Sequence, residues 1–102
     1  MVYEVPAANI VWEEGKGFNF AMNTLNGGRI GIASQAVGIA EASLNAALKY
    51  AKERKAFGQT ISNFQGIQFM LSDMAVKVDA AKMLTLKAAA LKDADKPYFK
   101  EA

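Results

Sequence analysis

The sequence predicts a mainly all-α protein, an antiparallel helical hairpin preceded by a short extended arm. Three observations carry that expectation. Apolar residues recur at Ile30, Ala33, Val37, Ala40, Leu44, Ala47 and Ala51 in alternating steps of three and four, which is one face of an α-helix. Phe64, Ile67, Leu71, Met74, Val78 and Ala81 repeat the pattern downstream. Between the stripes, Gly58 has the backbone freedom to stop the first helix. Ser62, with Gln65 three residues on, has the spacing of a capping box that opens the second.

Taken in order, residues 1–17 read as an extended arm and loop. Val2, Tyr3 and Val5 are strand formers and Pro6 pushes Val5 towards an extended conformation, so Val2–Val5 is expected as a short strand or arm. A polar turn at Ala7-Ala8-Asn9 and a second extended stretch, Ile10-Val11-Trp12, follow. A lone strand needs a partner, either from a symmetry mate or from a sheet outside these residues.

The first helix is expected over about 18–55. Phe18, Met22 and Leu25 keep helical spacing and should point into a core. Asn26-Gly27-Gly28 would loosen it, each glycine costing about 1 kcal/mol against alanine. The stripe nonetheless resumes at Ile30 nearly in phase, so the helix should run through. Lys52, Arg54 and Lys55 in its last turn suit the negative end of the helix dipole.

The second helix is expected over about 63–92, with an Asp73–Lys77 pair and a late stripe through Ala81, Leu84, Ala88 and Leu91. Pro97, capped by Asp95 or Lys96, should open a third helix, of which the sequence holds only six residues. It reads as the truncated start of a longer one.

At 102 residues the chain is at most one small domain, and 52% hydrophobic residues are enough for a core. The first helix carries a second apolar face, Ile32, Ala36, Ile39, Ala46 and Tyr50, which one hairpin partner cannot cover. The chain is therefore expected to be a piece of something larger or an obligate oligomer. A net charge of +2 is too small to argue for nucleic acid or an anionic membrane, and neither is expected as a partner. No cysteine excludes disulfide and thiolate chemistry, and no histidine removes the commonest base and metal ligand. The first residues lack the pattern of a signal peptide and no uncharged run of about 20 residues could span a membrane, so the expected address is the cytoplasm.

Arg54, where the first helix meets the turn, can reach an anion or simply complement the dipole. Phe57 beside a glycine can stack on a flat ligand or plug the hairpin end, and Phe64 divides the same way. Gln65 is explained as a cap residue. Arg29, after two glycines, can meet a ligand or stay solvated. The carboxylate pairs Glu13 with Glu14 and Asp93 with Asp95 fall in loops, so no catalytic residue and no metal site is expected.

Val5-Pro6 with Asn9, Gly15-Lys16-Gly17-Phe18 and Ala21-Met22 resemble the end of the β-domain of acyl-CoA dehydrogenases. Leu25-Asn26-Gly27-Gly28-Arg29-Ile30-Gly31 and Tyr50-Ala51-Lys52-Glu53-Arg54-Lys55-Ala56-Phe57-Gly58 resemble the first helix of their C-terminal domain. Phe64-Gln65-Gly66-Ile67-Gln68 and Leu71-Ser72-Asp73-Met74-Ala75 resemble the second. The likeness covers nearly the whole chain and is strongest to the short-chain, butyryl-CoA branch.

This resemblance implies half of a C-terminal four-helix bundle (residues 18–102) behind a remnant of the β-domain (1–17). It implies a flavoprotein oxidoreductase of fatty acid oxidation, in which FAD takes two hydrogens from a short-chain acyl-CoA and passes electrons to an electron-transfer flavoprotein. Arg54, Phe57, Phe64 and Gln65 would line an FAD site, with Arg54 on the pyrophosphate and the flavin belonging to a neighbouring subunit. Asn26 and Arg29 would lie on the acyl-CoA side. Asn26 stands where the family usually has aspartate, Ala56 where it often has a hydroxyl, and Val11-Trp12 where Leu-Gly is usual. The family's α-proton-abstracting glutamate falls outside these residues, so the isolated chain is expected to be inactive. The second functional reading is a self-associating helical module that binds nothing small.

Overall fold

The computed structural model describes all 102 residues as an antiparallel hairpin of two long helices, 75 × 35 × 17 Å in extent. In chain order there is a 3-10 turn, Ala7–Asn9, then helix α1, Gly17–Glu53. Two short strands follow, β1 Lys55–Ala56 and β2 Gln59–Thr60, then a second 3-10 turn, Ile61–Asn63, and helix α2, Gln65–Asp93. The expected all-α hairpin is observed, and each helix end lies within two residues of its expected place.

The first stripe works as read. Ile30, Ala33, Val37, Ala40 and Ala47 are half-buried, and Leu44 and Ala51 are buried against α2. The second face is left uncovered, as expected with a single partner helix: Ile32, Ala36, Ile39, Ala46 and Tyr50 are all exposed. On α2, Phe64, Ile67, Leu71 and Met74 are half-buried and Val78 is buried. Beyond Val78 the stripe holds at Ala88, which is buried, and at half-buried Leu91, but needs correcting between them and Val78, because Ala81 and Leu84 are exposed while Lys82 and Thr85 turn inward. Lys82 lies half-buried between the helices and donates to Glu41 on α1 at 3.0 Å. The Asp73–Lys77 pair forms at 2.7 Å on the exposed side.

α1 runs unbroken through Gly27-Gly28, as expected, with packing on the Asn26–Gly27 side only. Asn26 is the only buried polar residue, and the side chain of Lys92 crosses the bare flank of Gly27, its Nζ 3.1 Å from where a Cβ would sit. The turns before this point have no facing helix, since α2 ends at Asp93. Phe18 and Leu25 are therefore exposed, contrary to expectation, and only Met22 is half-buried. Phe20 instead meets Trp12 of the arm, ring centroids 5.7 Å apart.

Of the two alternatives for Val2–Val5, strand or arm, the arm is found, since it has no partner within the chain. Three further expectations are corrected. Ile10-Val11-Trp12 is not extended throughout, because Trp12 has φ 68° and turns the chain towards α1. Gly58 does not end α1, whose C-cap is Arg54, with its N–H on the Tyr50 carbonyl at 2.8 Å. The capping box does not form either: the N-cap of α2 is Phe64, without a side-chain bond. Residues 55–60 are taken up in the β1–β2 ladder, which carries Ser62 into the 3-10 turn, where its Oγ meets Thr60 Oγ1 at 3.0 Å.

α2 closes in a Schellman motif. The Lys96 N–H reaches the Leu91 carbonyl at 2.9 Å, the Asp95 N–H reaches Lys92 at 3.1 Å, and Asp95 takes φ 52°. No third helix follows Pro97. The chain makes one turn, in which the Glu101 and Ala102 N–H groups donate to the Tyr98 carbonyl at 3.0 and 2.9 Å. One turn is the costly nucleus of a helix without its propagation.

Candidate functional site

The hairpin corner is built by backbone. β1 and β2 pair in register Lys55↔Thr60 and Ala56↔Gln59, leaving Phe57-Gly58 as a two-residue turn. Both turn residues have positive φ, 51° and 81°, the signature of a type I′ connection. Glycine takes this conformation freely, but for a bulky phenylalanine it is a strained outlier. The Arg54 carbonyl accepts the Ile61 N–H at 2.8 Å and Gln68 Nε2 donates to the Ser62 carbonyl at 2.9 Å, tying corner to helix.

On this frame sit four of the residues singled out in the sequence. Phe57 is 96% exposed and stands edge-on to the half-buried Phe64, ring centroids 6.2 Å apart at 90°. Arg54 is exposed, and its guanidinium makes no hydrogen bond or ion pair within the chain. Gln65 is exposed at the first residue of α2, beside the free N–H groups of a helix start. The corner thus presents an unpaired planar cation, a bare aromatic face and helix-end donors. These are groups that suit a phosphate-bearing molecule with a flat ring.

Asn26 and Arg29 lie elsewhere. They are one turn apart on α1, and Arg29 Nη1 donates to Asn26 Oδ1 at 3.1 Å. From Asn26 to Arg54 the helix rises about 40 Å. One copy of the chain therefore brings the corner residues together but holds the Asn26–Arg29 pair at the other end. Two features escape the sequence reading: the strained backbone of Phe57 and the approach of Lys92 to Gly27. The second leaves a trace in sequence, a lysine in the last turn of α2 opposite a glycine pair on α1.

The sequence family described as the C-terminal domain of acyl-CoA dehydrogenases matches residues 15–102. A Bacillus subtilis protein, named probable acyl-CoA dehydrogenase YngJ, is 59% identical over 96% of this chain and 26% of its own length. The structure of butyryl-CoA dehydrogenase from Megasphaera elsdenii superposes with a TM-score of 0.88 at 52% identity, over 95% of this chain and 25% of that one. A chain in a structure described as the electron transferring flavoprotein of Acidaminococcus fermentans gives 0.87 at 56% identity, over 95% and 26%. The chain thus spans about a quarter of the relatives it matches. With 88 of its 102 residues inside the matched domain, the chain belongs to the acyl-CoA dehydrogenase family, and its relatives lie in the short-chain, butyryl-CoA branch.

Proposed function

We propose that this chain supplies part of the FAD and substrate contacts of an acyl-CoA dehydrogenase acting on short-chain acyl-CoA, with electrons leaving to an electron-transfer flavoprotein. The observation that carries the reading is the corner, where a strained backbone holds the Phe57 ring fully exposed beside a guanidinium with no partner. Such strain is kept where the surroundings or the function require it. The residues present fit the group. Arg54 would take pyrophosphate oxygens, Phe57 and Phe64 would cover the flat face of the cofactor, and Gln65 would add an amide at the helix start. The FAD supplies the two-electron acceptor. Asn26 and Arg29, some 40 Å along α1, would serve the acyl-CoA side of a different centre, so each complete site would draw on two copies.

Residues 1–17 are read as the end of the β-domain and 18–102 as part of the C-terminal helical domain. No helix of the protein is long and apolar enough to cross a membrane, and a cytoplasmic enzyme is the proposed setting.

A chimera tests the reading. Residues 15–102 would replace the matching quarter of the Megasphaera elsdenii enzyme, and bound flavin and butyryl-CoA oxidation would be measured. The chimera is expected to keep both. Arg54→Ala within it should weaken FAD retention about ten- to a hundredfold, the worth of a charge-assisted bond of about 1.5–3 kcal/mol. A chimera of native size that holds no flavin, or holds it equally well without the guanidinium, would count against this function.

A further inference from the structure

Lys92 stands apart from the other lysines of α2. Lys77 is held by Asp73 at 2.7 Å, Lys82 by Glu41 at 3.0 Å and Lys87 by Glu101 at 3.3 Å. Lys92, in the last turn, makes no ion pair, although Asp93 and Asp95 are close in sequence. Its stem instead lies across Gly27 of α1, with Nζ 3.1 Å and Cε 3.8 Å from where a Cβ would sit. We propose that Lys92 is a third residue on the acyl-CoA side, supplied by α2, and that its ammonium takes a phosphate of the CoA moiety. The inference rests on the acyl-CoA part of the proposed function, and adds to it a residue, a ligand group and a role for Gly27.

The crossing is fixed by the packing of the two helices. Asn26 on α1 is buried, and so is Ala88 on α2, one turn before Lys92. Around α1, Gly27 lies about 100° from Asn26 in one direction and Arg29 about 60° in the other. Two exposed cations therefore flank one buried amide, whose Oδ1 accepts from Arg29 Nη1 at 3.1 Å. No carboxylate belongs to this group, because Asn26 stands where the family usually has aspartate. Asp95 and Lys96, which line a cleft with Lys92, offset one another. The Lys92 charge is left for an anion from solvent.

The chemistry divides along the same line. Asn26 and Arg29 offer the donors and the acceptor that suit the amide groups of a pantetheine arm. A lysine is a compact point charge on a flexible stem, which suits a phosphate. CoA carries both features on one extended molecule, the amides in its arm and the phosphates beyond them. Gly27 lets the Lys92 stem pass close to α1, so a side chain there would push the ammonium aside.

The chimera described above tests this with CoA and with pantetheine, which has the arm but no phosphate. In calorimetric titrations Lys92→Gln should weaken CoA binding about tenfold at low salt, and less at high salt. Pantetheine should bind both forms equally, and Lys92→Arg should recover most of the loss. Gly27→Ala should also weaken CoA binding while the Tm holds or rises, because it displaces the ammonium without loosening the helices. Lys87→Gln, on the same helix, should leave CoA binding unchanged. CoA binding that ignores Lys92, or a loss equal for CoA and pantetheine, overturns the inference. A chimera of native size that binds no CoA removes the acyl-CoA reading and this inference together. Loss of flavin with Lys92-dependent CoA binding intact would sink the assignment of the corner and support this one.

Discussion

The two ends of the hairpin are held by different means. At the corner, covalent continuity, a two-rung ladder and the Arg54–Ile61 and Gln68–Ser62 bonds fix the backbone while leaving Arg54 and Gln65 without partners and Phe57 exposed beside Phe64. At the open end nothing joins the helices covalently. Side chains do the holding there: Asn26 is buried, Arg29 donates to it, Lys92 crosses Gly27, and the tail reaches back through Lys87 and Glu101. The difference teaches where binding groups can be found. Where backbone carries the structure, side chains are free to meet a ligand. Where side chains carry it, they are engaged with one another, and a ligand there must take over contacts such as the Arg29–Asn26 bond.

The sharpest way to break this comparison is to overfill each end. Ala51 near the corner is 3% exposed and Ala88 near the open end is 2% exposed. Extra methylenes in a packed site cost about 1–3 kcal/mol, depending on how far the neighbours can give. Ala51→Leu is expected towards the top of that range, because the ladder holds the helices at a fixed separation. Ala88→Leu should cost about 1 kcal/mol or less, because helix ends without a covalent link can splay. Urea unfolding at a single protein concentration measures both. Equal costs would mean that the ends are equally rigid.

Glycines at the two ends should respond with opposite sign. Gly58 has φ 81° and open space around its missing Cβ, so alanine there clashes with no neighbour and incurs only the strain of a left-handed backbone, about 1 kcal/mol. Gly27 is helical, and a Cβ would meet only the mobile tip of Lys92. Gly27→Ala should therefore stabilise by about 0.5–1 kcal/mol through helix propensity. If both changes destabilise, the Lys92 crossing is a fixed contact and the open end is better organised than argued.

Legibility in the sequence follows the same division. The buried stripe of α1 could be read residue by residue, since periodicity and burial coincide from Ile30 to Ala51. The late stripe of α2 could be read at Ala88 and Leu91 but not before them, because hydrophobicity selects Ala81 and Leu84 whereas packing selects Lys82, whose long stem buries as its charge finds Glu41. The capping box failed through the ladder: Lys-Ala-Phe-Gly-Gln-Thr neither alternates in polarity nor holds the Asn-Gly expected of such a turn. The third helix had its start signals, but one turn does not propagate. The family resemblance groups Arg54, Phe57, Phe64 and Gln65, and their lying within twelve residues of one turn is why the hairpin keeps them close. The separation of Asn26 and Arg29 from them followed once α1 was read as unbroken.

The smallest expected effect lies in the tail. Lys87 meets Glu101 at 3.3 Å, with side chains 61% and 17% exposed. A bridge with one arm in water contributes between nothing and about 1 kcal/mol, less at high salt. Lys87→Ala should therefore change global stability by less than about 0.5 kcal/mol. Locally it should matter more, because only one helical turn orders residues 98–102 and the bridge is its tie to α2. Hydrogen exchange separates the two effects. The amides of Glu101 and Ala102 should lose protection in Lys87→Ala, and in the unmodified chain at high salt, while those of Arg54 and Ile61 at the corner keep theirs. A loss that spreads to the corner, or a global cost above about 1 kcal/mol, would make the tail part of the cooperative hairpin and remove the distinction between its two ends.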